Sequence, residues 1–276
     1  MTLNHHQRRE LRLIQNHLLT EQRRAGAAYA EFNTAGVVFH PIEFDPTYSL
    51  VIPHQGITWT RGEDVRRGFE TLEERGRWPH LQYLDALFPQ AFTRHLELHG
   101  FRHYLDTPVW LYMPLYGPVP EGETPFGTVP RDLPNIQIQE AISHEDFAVW
   151  WRTYRAGYYG VDDNLTDPKA IKPFEDSFQR GERVFLIGLY HDYPTAAIQV
   201  SFSGATAQVD EPAVVWPWAG FGIEETLIQL SVEFARTHGC EVIYSVGVPE
   251  NDARLYQRLG FIQISNIVTF VEATPK

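Results

Sequence analysis

The sequence predicts an α/β protein made of two units, each a twisted mixed sheet flanked by helices, the first of them truncated. Three observations lead there. Strand-type alternation and helix-type apolar spacing follow one another in the order β-α-α-β-β-β-α-β-α-β over the second half of the chain. A Pro- and Gly-dense stretch, "MPLYGPVPEGETPFGTVPRDLP" over 113–134, interrupts the pattern once. Residues that fix φ, remove donors or loosen the backbone leave no helix or central strand there. Finally, "LQYLDALFPQAFTRHLELHGF" (81–101) can be laid on "EVIYSVGVPENDARLYQRLGF" (241–261), matching Pro89 with Pro249 and Gly100-Phe101 with Gly260-Phe261. The expected division is 1–115 for the first unit, 116–133 for a linker and 134–276 for the second unit. A chain of 276 residues allows each unit a core of its own.

In order, the first unit opens with a helix over about Leu3 to Phe32. Strands follow at "AGVVFH", "SLVIP" and "GITWT". The helix "RGEDVRRGFETLEERGR" comes next, with Thr60 and Glu63 spaced as a capping box. The repeated block then reads as strand, Pro-marked turn, short helix, Gly stop and strand. In the second unit "NIQIQEAI" alternates as a strand, and "HEDFAVWWRTYRAGYY" and "AIKPFEDSFQRG" have helical spacing. "RVFLIGLY" and "TAAIQVSFSG" are strands joined by "HDYP", and "TAQVDEPAVVW" is a further strand. The long helix "GIEETLIQLSVEFARTHG" precedes strand "EVIYSVGV", helix "NDARLYQRLG" and strand "FIQISNIVTFVE".

The composition excludes some functions. With 35 Asp and Glu against 23 Lys and Arg, the net charge is -12. That argues against a nucleic-acid partner, whose phosphates demand a basic face, and agrees with cationic ligands such as amines. No apolar run reaches the ~20 residues of a membrane span. The polar N-terminus has no signal-peptide pattern, so the expectation is a cytoplasmic protein without a membrane partner. The single cysteine, Cys240, follows a helix-ending Gly239 and reads as a small buried hydrophobe rather than a nucleophile. His95, His99 and His103 are spaced four apart, but Gly100 ends the helix between them, so no metal site is expected.

The stretch with most chemical content is "VVWPWAGFGIEETLIQL", Val214 to Leu230. Strand-like residues run through a Gly-rich turn into a helix, an arrangement that aims backbone N–H groups at an anion. The alternative is a tight turn that needs glycine for steric reasons alone. With the element order and the late "LYQRLGF", this stretch resembles the GNAT superfamily of acyl-CoA N-acyltransferases. The resemblance covers about 135–272 well and Phe44 to Pro114 as a weaker, truncated copy. The whole chain is thus similar to a tandem GNAT protein.

The family's turn reads Arg or Gln, two residues, Gly, one residue, then Gly or Ala. The preferred register puts Ala219 at the Arg/Gln position, Gly222 at the first required Gly and Glu224 at the last small residue. A register two residues earlier uses Pro217, Gly220 and Gly222. The resemblance implies acetyl-CoA as co-substrate, held along Val214, Val215, Trp216, Ala219, Gly220, Phe221, Gly222, Ile223 and Glu224, with Asn251 touching the pantetheine arm. Val214 and Val215 would turn amides toward the thioester carbonyl. Ala219 brings no cation, and Glu224 sets a carboxylate where like charges at ~4–6 Å cost about 1 kcal/mol.

The resemblance further implies that Tyr256, four residues before Gly260, is the general acid that protonates the departing thiolate; a packed helix aromatic is the alternative. The matching residue of the first unit is Leu96, which has no proton to give. Asp210 and Glu211 precede the turn, and Glu211 is preferred as general base. The implied activity is transfer of acetyl to a primary amine, either a small molecule or a protein N-terminus or lysine, by direct attack. The alternative is an inactive GNAT-like module that binds a ligand or partner. A monomer or homodimer is expected.

Overall fold

The computed structural model describes residues 4–54, 59–113, 136–161 and 167–273. The 116–133 linker and residues 56–58 of the expected strand "GITWT" lie outside them. By its internal contacts the chain divides into a first unit, Met1–Val109 with Gln263–Lys276, and a second unit, Trp110–Ile262.

The first unit begins with α1 (His5–Arg24), capped at Asn4 by a reciprocal pair of bonds with Gln7. The helix stops short of Phe32. Gly26, at φ +99°, turns the chain out, and 28–32 become a strand instead. β1 (Ala28–Phe32) pairs antiparallel with β2 (Ala35–Phe39), which pairs antiparallel with β3 (Leu50–Pro53). α2 (Gly62–Glu73) follows, without the expected capping box. Its cap residue is Arg61, and the Thr60 hydroxyl donates to the Thr34 carbonyl instead. Then come β4 (Leu81–Leu84), α3 (Gln90–Leu98) and β5 (Phe101–Tyr112).

The second unit contains β6 (Ile136–Glu140), α4 (His144–Tyr159), α5 (Pro168–Gln179), β7 (Arg183–Tyr190), β8 (Tyr193–Ser203), β9 (Thr206–Val209), β10 (Ala213–Val214), α6 (Ile223–Thr237), β11 (Val242–Val246) and α7 (Ala253–Arg258). β12 (Phe261–Glu272) closes the chain. "TAQVDEPAVVW" is not one strand: it breaks at Asp210–Pro212, where the pairing with β8 slips by one residue. Pro212 has no N–H for the ladder, which makes it a natural place for the break.

Strand order is β1-β2-β3-β4-β12-β5 in the first unit and β5-β11-β9-β8-β7-β6 in the second, with β10 pairing β8. The two strands that close the repeats therefore each contribute to both units. β5 enters the second unit at Trp110, and β12 enters the first at Gln263. This grouping differs from the sequence division at 115 and 134.

Alternation along the strands sorts the second unit's core onto two faces. Leu186, Ile198, Val200 and Ile243 meet Ile223, Leu227 and Ile228 of α6 and Tyr256 of α7. Phe185, Ile187 and Ala197 meet Phe147 and Trp150 of α4 and Ile171 of α5. The repeat reappears in the backbone. Gly100 and Gly260 end α3 and α7 at φ +87° and +90°, and each is followed by a buried Phe that opens a strand.

Candidate active site

The site is framed by a parting of strands. β11 pairs with β9 only over Val242–Tyr244, while β10 pairs with β8. Ser245 and Val246 continue β11 past the last residue it pairs with β9, and Val214 and Val215 lie at the end of β10 on the other side of the split. The Val215 N–H donates to the Thr195 carbonyl at 2.8 Å. It is therefore spoken for, which corrects the expectation that both valine amides face the ligand. Strand alternation turns the Val214 N–H the other way, away from β8.

α4 packs closely against this strand. A Cβ on Gly157 would stand 2.6 Å from the carbonyl carbon of Ala213 and 2.7 Å from the Val214 nitrogen. Only glycine lets the helix and the β10 backbone approach so nearly. The same helix ends in an aromatic tier, with Tyr154 stacked on Tyr158 at 5.6 Å and Tyr158 edge-on to Tyr159 at 5.0 Å.

After β10 the chain makes the Gly-rich turn. Trp216 is 85% exposed, and Trp218 folds back onto Tyr190. The residues at positive φ are Gly220 and Gly222, both at +84°. These are the two glycines of the earlier register, and the backbone demands glycine there and not at Glu224. Ile223, Leu227 and Ile228 are buried on the inner face of the helix, with Gly222 as the N-cap. Glu224 is an ordinary residue of the first helical turn. Its carboxylate does not point away from the turn: it accepts a hydrogen bond from the Gly220 N–H at 3.1 Å. Ala219 and Phe221 are exposed, and Ile223 is fully buried.

Tyr256, on α7, is 1% exposed, and its hydroxyl has no hydrogen-bond partner. The Ser245 hydroxyl, also buried and unpartnered, is the polar group that faces it, short of hydrogen-bond geometry. Burial raises the phenol pKa strongly, the charges of Glu211, Asp210 and Asp252 raise it further, and Ser245 works against them. Two buried hydroxyls without partners are costly, and they mark the place where a ligand with polar atoms would be at home. Trp110 stands near the same phenol, at 6.5 Å between rings, and its Nε1 is likewise unpartnered.

The two acids before the turn are treated differently. Asp210 accepts from the side-chain amides of Gln199 and Gln208, and Gln208 also accepts from Tyr244. Glu211 is half-buried and makes no hydrogen bond among the described residues. Its pKa is raised by burial first and by Asp252 second. Burial raises the pKa of Tyr154 and Tyr158 in the aromatic tier of α4, and the charges of Asp210 and Glu211 add to it. Asn251 does not begin the helix as expected. It lies exposed in the tight turn Glu250–Asp252, and α7 starts after Asp252 without a side-chain cap. Sequence reasoning passed over Ser245 and Gly157.

In the first unit, Leu96 takes the place of Tyr256 and is fully buried. His103 pairs with Asp106 on β5, away from His95 and His99. Cys240 is half-buried, and burial raises its thiol pKa, as suits a packed, unreactive side chain.

The fold has counterparts among solved structures. A GCN5-related N-acetyltransferase from Kribbella flavida superposes with a TM-score of 0.70 over 96% of both chains, at 14% identity. The fold is that of the GNAT acetyltransferases. A GCN5-related N-acetyltransferase from Sphaerobacter thermophilus matches at a TM-score of 0.58 and 16% identity, covering 88% of this chain and 81% of its own. A tandem GNAT protein from the clavulanic acid biosynthesis pathway matches at 0.56 and 15%, covering 88% and 79%. No family model and no curated protein matches the chain by sequence. Among the described residues no helix is long and apolar enough to cross a membrane.

Proposed function

We propose that the second unit is an acyl-CoA-dependent N-acyltransferase that moves acetyl from acetyl-CoA to a primary amine by direct attack in a ternary complex. The observation that carries the reading is the buried, unpartnered phenol of Tyr256 beside Ser245, at the split that β10 and β11 leave open. The residues suit such a donor: the Val214 amide faces away from β8, two buried hydroxyls lack partners, and the glycine turn opens a helix N-terminus.

Glu211 takes a proton from the incoming ammonium, directly or through water, and holds it until the thiol has formed, after which it passes to solvent. The free amine attacks the thioester carbonyl carbon, whose oxygen is polarised by the Val214 N–H. As the C–S bond breaks, Tyr256 gives its proton to the sulfur, and the second proton lost by the amine nitrogen restores the phenol. Glu211 and Tyr256 are coupled in a useful direction. The Glu211 charge is the largest charge raising the phenol pKa, so a protonated Glu211 makes Tyr256 a stronger acid. The acceptor is a cationic amine, since Glu211, Asp210 and Asp252 are all felt at this spot and the α4 tyrosines offer ring faces to a cation. Soluble action without a membrane partner accompanies this reading.

Ala219 and the Glu224 contact favour a second reading, an inactive GNAT-like binding module. Calorimetry with acetyl-CoA followed by an amine panel separates the two. Binding with release of free thiol supports the enzyme. Acetyl-CoA binding without thiol release supports the module, and no heat at millimolar acetyl-CoA overturns the enzyme reading.

A further inference from the structure

We infer that Glu224 is a built-in anion that fills the amide cradle of the turn, so that the pyrophosphate of an acyl donor enters only by displacing it. The inference rests on the acyltransferase reading above and adds a residue that discriminates among donors by their charge.

Gly220 and Gly222 both sit at φ +84°, a conformation that turns neighbouring amides toward one side of the chain. Directly after them α6 runs for 15 residues from Ile223, with its N-terminal partial charge at the same spot. Gly222, the N-cap, has no side chain with which to cap the helix. The anion is supplied from within: the Glu224 carboxylate, in the first turn, reaches back to accept the Gly220 N–H at 3.1 Å. That is ordinary hydrogen-bond distance. A phosphate oxygen bound by the same amide would have to stand where the carboxylate oxygen stands.

Two anions cannot share one donor, and the chain does little to ease their conflict. Val215 to Gly222 contains no basic residue. Arg258 is engaged with the neighbouring Glu225 at 3.8 Å. Nothing locks Glu224 in place, however, because it is half-exposed and the Gly220 bond is its one hydrogen bond among the described residues. It can swing into solvent when a stronger anion arrives. A thioester of pantetheine alone, which has no pyrophosphate, never meets this carboxylate.

The test uses the full chain as wild type, Glu224→Gln and Glu224→Ala. Calorimetry measures CoA and inorganic pyrophosphate, and kinetics compare acetyl-CoA with S-acetylpantetheine. Removing one like charge in contact with the ligand is expected to tighten CoA and pyrophosphate by about tenfold or more. KM for S-acetylpantetheine stays where it was. Unchanged or weaker pyrophosphate binding in both variants overturns the inference, as does the absence of pyrophosphate binding in all three proteins. Should Glu224→Ala lose thermal stability because the Gly220 N–H is left bare, Glu224→Gln decides, since it keeps an oxygen for that amide without the charge. If the variants gain pyrophosphate affinity while acetyl-CoA yields no product, the inference stands and the acyltransferase reading falls.

Discussion

Tyr256 and Glu211 carry opposite demands. A phenol buried to 1% exposure without a partner is a cost to the folded chain, and so is a half-buried carboxylate whose pKa is raised. Tyr256→Phe should therefore leave the fold intact or slightly steadier, by about 1 kcal/mol, because an unpaired buried hydroxyl is removed. The same change should lower kcat by about 10²–10⁴, the usual contribution of a positioned acid. Undiminished kcat with a raised melting temperature would reduce Tyr256 to a packing residue. For Glu211 the sign runs with its raised pKa. The folded chain binds this proton more tightly than the unfolded one, so the penalty is present above the folded pKa and vanishes below the ordinary carboxylate range. Glu211→Gln should raise the melting temperature at pH 7, and the gain should close as pH falls. It should also abolish the acid limb of kcat/KM, which in the wild type lies above the ordinary carboxylate range. A limb that persists in the variant would assign the base elsewhere.

Glycine spacing made the turn, the helix after it and the repeat legible in the sequence, because each rests on local φ demands and apolar periodicity. Gly100, Gly260, Gly220 and Gly222 all take the left-handed conformations that such spacing implies. Contacts between strands and helices distant in sequence were not legible. The break at Asp210–Pro212 was passed over although two acids and a proline mark it, and Gly157 looked like an ordinary helix residue. Ser245 did leave a trace: it shares the face of Ile243 in "EVIYSVGV", a polar residue at an inward position of an apolar strand. Glu224 was visible as an oddity, but its partner was not, since a side chain reaching back four residues needs the turn's geometry first. Gly157→Ala tests the helix–strand approach. Alanine ordinarily gains about 1 kcal/mol over glycine within a helix. Here its methyl would meet backbone atoms at 2.6–2.9 Å that cannot rotate aside. Net destabilisation of about 1–3 kcal/mol is expected from overpacking, read by urea unfolding. Activity should fall with it as the Val214 backbone shifts. A neutral or stabilising outcome would show that α4 and β10 have room to spare.

The division of the chain is where local reading stops being enough. Pattern and composition find where strands start and stop, but which strands pair is a long-range matter. The last 14 residues group with the first 109 although more than 150 positions separate them. Within the first unit, β12 aligns Ile267 with Leu84 and Phe270 with Leu81. Asp85 accepts from the Ser265 hydroxyl at 2.7 Å and the Asn266 N–H at 2.9 Å. Phe270 is fully buried and stacks on Tyr83, and Val268 and Val271 are buried too. A fragment ending at residue 115 keeps every element of the first half but loses these three side chains. At ~1.5–3 kcal/mol each, their loss is comparable with the ~5–15 kcal/mol by which a whole domain is stable. The fragment also bares the edge of β4, which is then free to pair with other chains. Residues 1–115 alone should therefore show no cooperative melt by circular dichroism and should aggregate. Adding a peptide of residues 261–273 should restore a cooperative transition, and the same peptide with Phe270→Ala should restore it poorly. A fragment that melts cooperatively by itself would mean that β12 is an ornament to the first unit rather than one of its structural strands.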